Sequence, residues 1–187
     1  MNRIKCLAVC ALAVLGSSCI GAYGKDHASE EPAILNNEAV RLMKQNEYSP
    51  AIDKLKAALE MRPDYVIARE NLSTAYNNLA LSLVNSKPAE SIKWFHQALY
   101  TIRSDRARKD ISARLDYAIA ATGRDPKSGG VRMELGNEAN SKGDLVGALI
   151  EYQIAEHLNV PAAKPRLAEV RTRLKHESKG SVDGHEL

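Results

Sequence analysis

Ala51-Ile52-Asp53-Lys54-Leu55-Lys56-Ala57-Ala58-Leu59-Glu60-Met61-Arg62-Pro63 is the stretch that decides the fold. Ala51, Leu55 and Ala58 stand four and three residues apart, which puts them on one face of a helix, and Pro63 ends it. Ala148, Tyr152 and Ala155 keep the same spacing, as do Ser91, Phe95 and Ala98 with a serine for the first alanine. Small residues let a neighbouring helix come close, and the larger residue between them fills the groove so formed. The recurrence therefore predicts stacked helix pairs.

Working outward, Leu35, Ala39 and Leu42 mark a first helix, and Asn46-Glu47 breaks it. Ser49 is the expected cap of the second helix, with Pro50 at its first position, where the missing N–H costs nothing. Asp64 is the expected cap of a long third helix reaching about Val84, and Pro88 opens a fourth. A fifth helix is expected from about Arg106 to Thr122, with Gly123 as its stop. A further pair turns at Lys142-Gly143-Asp144, and Pro161 and Pro165 introduce a last helix to about His176. No segment reads as a strand. The expected class is all-α, with about eight helices.

This pattern resembles the tetratricopeptide repeat (TPR) family. Its unit is a helix–turn–helix whose first helix carries a large-small pair and then an aromatic. Leu72-Ser73-Thr74-Ala75-Tyr76 fits, and Leu135-Gly136 keeps the pair. Gln45-Asn46-Glu47-Tyr48 and Lys142-Gly143-Asp144-Leu145 look like the family's inter-helix turn. The matching units are 32–65, 66–105 and 129–162. The middle unit is longer than the family norm, read as an extension of its first helix. Helix 106–122 is expected to cover the first two units or to act as a spacer. A helix over 163–176 is expected to cap the open end, as solenoids require. The resemblance implies an antiparallel α-solenoid that binds other proteins and needs no cofactor.

The ends predict an exported protein. Arg3 and Lys5 precede an apolar run from Cys6 to Leu15, and Ala22-Tyr23-Gly24 offers a small-x-small cleavage site. Residues 1–24 are thus expected to be a signal peptide, 25–31 a linker and 177–187 a disordered tail. Leu15-Gly16-Ser17-Ser18-Cys19 resembles a lipoprotein box, but its leucine stands one residue too far from Cys19. The expected location is the periplasm or the exterior of a bacterium, with an outer-membrane lipoprotein anchored at Cys19 as the alternative. All three cysteines lie in this leader, so a chain cut after Gly24 has no thiol chemistry.

The 187-residue chain carries a formal charge of +3, and losing Arg3 and Lys5 lowers it to +1. That is not the footprint of a nucleic-acid binder. The histidines show no metal-ligand spacing, Gly129-Gly130 lacks the lysine and serine of a phosphate loop, and no serine has a base pattern beside it. No catalytic or metal residue is therefore expected. The candidate binding residues are asparagines of the first helices: Asn37 and Asn71, which are 34 residues apart, with Asn77, Asn78, Asn137 and Asn140. An amide both donates and accepts, so such a row suits the backbone of an extended peptide. The same asparagines would equally suit joining repeat to repeat. A clamp of lysines and asparagines for a partner's carboxyl end, found in some family members, is not expected. Asn36 and Val40 stand where it would need a lysine and an asparagine. Trp94 is the expected exposed aromatic, a candidate contact on the outer face.

Truncating Leu55 or Phe95 to Ala is expected to cost roughly 2–5 kcal/mol, read as a lowered midpoint in urea denaturation.

Overall fold

The computed structural model describes residues 27–180, and the expected leader, Cys19 and the last residues of the tail lie outside them. Eight helices follow one another: α1 (His27–Lys44), α2 (Tyr48–Met61), α3 (Val66–Leu83), α4 (Pro88–Thr101), α5 (Asp105–Ala121), α6 (Gly129–Ser141), α7 (Leu145–His157) and α8 (Ala163–Gly180). Among the described residues there is no strand. The helices pair as hairpins, α1 with α2, α3 with α4 and α6 with α7, and α8 covers α7. This is the expected all-α array of helix–turn–helix units.

The repeated cassette is the reason the hairpins close. Ala51, Leu55, Ala58, Ser91, Phe95, Ala98, Ala148, Tyr152 and Ala155 are all 0% exposed. The small half of each large-small pair is buried too: Ser73 in α3 and Gly136 in α6, with Ala39 at the corresponding place in α1. At Gly136 the approach is tightest, because a Cβ there would lie 2.5 Å from Cε1 of Tyr152. The turns repeat as well. Asn46 and Gly143 both take the left-handed conformation, with φ of 62° and 76°, at matching places before the cassette. Asparagine and glycine are the residues that enter this region at least cost.

Helix starts differ from the sequence expectation in three places. α1 begins at His27, so most of the expected linker 25–31 is helical, and Pro32 is taken into the helix. A proline near a helix start removes few intrahelical bonds. α2 begins at Tyr48 after Glu47, so Ser49 and Pro50 lie in its first turn and Ser49 does not cap it. Tyr65, not Asp64, precedes α3, and no side chain bonds that end. At the far end α8 runs four residues past His176, to Gly180.

α5 packs on α4 and buries Ile111, Leu115, Ala118 and Ile119 in the main core. The third hairpin then meets the second through α7 against α4. The apolar interior is accordingly divided. One cluster spans α1 to α5 and takes in Leu135 and Ile150, while Leu145, Ala148, Leu149, Tyr152, Leu167 and Val170 form a second.

Replacing Gly136 by Ala, which raises helix propensity, is nevertheless expected to destabilise by about 1–3 kcal/mol, because the fixed ring of Tyr152 cannot yield. Thermal melts of the variant and the parent chain check the sign.

Candidate functional site

Four of the six asparagines predicted to line a groove, Asn71, Asn77, Asn137 and Asn140, are drawn into contacts between helices. Asn71 Nδ2 donates to Asn36 Oδ1 at 2.8 Å, which joins α3 to α1. Asn36 is buried, whereas Asn37, the predicted counterpart of Asn71, is exposed. Asn77 Nδ2 donates to Asn78 Oδ1 at 3.2 Å, and Arg114 of α5 donates to Asn77 Oδ1 at 2.8 Å. The Tyr152 hydroxyl donates to Asn137 Oδ1 at 2.8 Å, and Arg173 of α8 donates to Asn140 Oδ1 at 2.6 Å. Each amide so held keeps only part of its bonding capacity for a ligand. Asn37, exposed on α1, is outside this set of contacts.

Exposed positions nonetheless recur at helical spacing on the adjoining helices α1 and α3. Ile34, Asn37 and Arg41 form a stripe on α1, and Ile67, Glu70, Thr74 and Leu81 form one on α3. The three aliphatic residues are 54%, 57% and 40% exposed in that order, well beyond core values. The pair of stripes combines apolar side chains with polar ones on the helices where the asparagines were sought.

Trp94 is not the exposed aromatic expected from its position beside Phe95. It is half-buried and stacks on Tyr76, with ring centroids 5.8 Å apart and planes 19° from parallel. Its indole N–H is buried with no hydrogen-bond partner among the described residues. The reason lies in the α3–α4 hairpin, which brings the two rings face to face. Burial, with Asp53 adding to it, pushes the Tyr76 phenol up to about 12. The aromatics that do face solvent are Tyr100 and Tyr117.

A buried charged network, not singled out in the sequence, ties the third hairpin to the rest. Arg132 of α6 is 1% exposed and Glu151 of α7 is 0% exposed. Arg132 Nη1 donates to Glu151 Oε2 at 3.0 Å, its Nη2 pairs with Asp116 of α5, and its Nε donates to the Pro126 carbonyl at 2.9 Å. His96 Nε2, from α4, lies 2.6 Å from Glu151 Oε1, and Lys127 pairs with the outer oxygen of Asp116. A signal was present: Glu151 is the one charged residue in the run Leu145-Val146-Gly147-Ala148-Leu149-Ile150-Glu151-Tyr152. Its place next to cassette residue Tyr152 marks it as interior.

Beside this network opens a recess of about 420 Å³, lined by Ile92, Lys93, His96, Leu135, Glu138 and Ala139 among others. At its edge Arg124 Nη2 donates to Glu138 at 2.7 Å, which holds the Glu138 carboxyl below the usual range and raises the arginine. Positive and negative charges alternate around the recess, and its one buried titratable wall, His96, is engaged by Glu151. Among the described residues no group of three or more histidine, cysteine, aspartate or glutamate side chains is placed to hold a metal. No described helix is long and apolar enough to cross a membrane.

No protein-family model matches the chain, and no curated protein matches it. Among solved structures it is similar to the NMR structure of the first TPR domain of the human RPAP3 protein. The match has 18% identity and covers 80% of this chain and 97% of that one, with a TM-score of 0.30. The overlay is loose, and the fold rests on the hairpins themselves.

Glu151→Ala is expected to cost about 3–5 kcal/mol, since it strands the buried guanidinium of Arg132. Asp116→Ala, whose carboxylate is 23% exposed, is expected to cost less. Urea denaturation of both variants gives the comparison.

Proposed function

We propose that this chain is an exported, TPR-like scaffold that holds a peptide or helical segment of a partner protein and carries out no chemical step. The observation that supports this most directly is the pair of exposed stripes on α1 and α3. Solvent-facing aliphatic residues at Ile34, Ile67 and Leu81 alternate there with Asn37, Glu70 and Thr74. Apolar side chains supply binding energy when covered, and the polar ones between them fix the partner's register. The stripes lie on α1 and α3, which pack against each other. The buried side chains of His96, Arg132 and Glu151 satisfy one another, which suits a framework rather than a reacting centre.

The leader read in the sequence supports a location outside the cytoplasm of a bacterium. Cleavage after Gly24 would give a free periplasmic or secreted protein. Lipid on Cys19 would instead favour the alternative reading, a lipid-anchored accessory subunit of an envelope enzyme or assembly complex.

Photo-activatable residues placed at Asn37 and Thr74 in the living cell are expected to capture one and the same protein. The same residue at Glu156, exposed on α7, is expected not to capture it. Capture at all three positions alike, or at none, would remove the support for this face. Mass spectrometry of the mature N-terminus decides between a start at Lys25 and a lipidated Cys19.

A further inference from the structure

At the end of the array where α2 passes to α3 and α4 passes to α5, the chain places three arginines around one recess. The recess has a volume of about 720 Å³, and Arg69, Arg103 and Arg108 line it with Leu59, Tyr100 and Ile102. Two of the guanidinium groups are fixed by backbone carbonyls. Arg108 donates from Nη1 to the Leu99 carbonyl at 3.1 Å and from Nη2 to the Ile102 carbonyl at 2.7 Å. Arg69 donates to the Pro63 carbonyl. Carbonyls orient a guanidinium without neutralising it, so both keep their full charge at the wall.

The charge has no internal counterpart. Among the described residues none of the three arginines pairs with a carboxylate, whereas Lys54 pairs with Glu38 and Lys87 with Glu90. Asp64, Glu70 and Asp105 occupy the same turns and reach none of the three. Like charges held together in a concave site raise the local concentration of anions. Guanidinium in particular matches the two oxygens of a carboxylate. The remaining wall is Leu59, Tyr100, Thr101 and Ile102, and Tyr100 stands 53% exposed at it. Met61 and Val66, also exposed, belong to the adjoining α2–α3 turn.

We propose that this recess is a binding site for an acidic peptide segment of a partner protein, its carboxylate meeting Arg69, Arg103 and Arg108 and a neighbouring apolar side chain covering Tyr100. A peptide is the occupant that fits, because the cations share the recess with the apolar side chains of Leu59, Tyr100 and Ile102. A bilayer surface meets charges that project, and a small inorganic anion leaves Leu59, Ile102 and Tyr100 uncovered. The site uses the turn end of the molecule and not the stripes of α1 and α3, so it stands or falls separately from the proposed face.

The test uses the purified chain and a fluorescent peptide of alternating glutamate and leucine, with a glutamine-for-glutamate peptide as control, read by anisotropy. Arg103 is the residue to change, because it is exposed and makes no hydrogen bond or ion pair among the described residues, so its loss leaves the fold intact. Arg103→Glu is expected to weaken the acidic peptide by about tenfold or more with an unchanged thermal melt, and Arg103→Lys to weaken it less. Arg108→Gln is a second variant, expected to weaken binding further and judged only where its circular dichroism matches the parent. The proposal is overturned if Arg103→Glu binds the acidic peptide as well as the parent does, or if the glutamine peptide binds equally. It is also overturned if inorganic phosphate alone displaces the peptide completely, or if the charge variants alter only the binding of phosphatidylglycerol vesicles.

Discussion

The buried pair Arg132 and Glu151, reaching out to Asp116 and His96, holds the two parts of this molecule in register. Removing both charges from water costs several kcal/mol per ion unless every polar atom finds a partner. Here the partners come from four places at once: His96 on α4, Asp116 on α5, the Pro126 carbonyl in the connecting loop and the two ions themselves on α6 and α7. An apolar seam would tolerate sliding. A guanidinium with directed bonds to two carboxylates and a carbonyl does not, so the third hairpin has one seat against α4. The Ser104 and Ser128 hydroxyls, capping α5 and α6, fix where the helices on either side of the loop begin.

Within each hairpin the controlling constraint is steric. A ring or branched side chain from the second helix sits where the first helix offers a small residue, and Gly136 under Tyr152 is the extreme instance. The left-handed turns at Asn46 and Gly143 deliver the cassette to its seat in the same phase both times. The second hairpin reaches the same packing with a different turn, Asn85-Ser86-Lys87. Its cassette serine, Ser91, turns its hydroxyl to the Pro88 carbonyl at 2.8 Å, which satisfies a polar atom that the alanines of the other hairpins lack.

The hairpins were legible in the sequence because their signal is local. Spacing of four and three, a turn and a small-large alternation all lie within one unit. The junction was not legible for the opposite reason. His96 and Glu151 are 55 residues apart, and nothing in either neighbourhood states that they meet. Trp94 was misplaced by the same limit: its angle on α4 points away from Phe95, but the ring of Tyr76 from α3 waits there. Helix starts shifted to His27, Tyr48 and Val66, and no side chain caps α2 or α3. The arginines at the turn end carry no pattern in the sequence, since Arg69 and Arg108 come together only when α5 packs back on the α3–α4 hairpin.

The division of the apolar interior grades the stability of the array. Six side chains, Leu145, Ala148, Leu149, Tyr152, Leu167 and Val170, support the last hairpin and α8, against more than three times as many in the other cluster. In a linear array each unit is held by its own packing and by the neighbours it touches. The last segment therefore opens at a lower free energy than the whole, while the first two hairpins remain closed. Its backbone amides exchange with solvent first, and a protease meets α8 long before it meets α2.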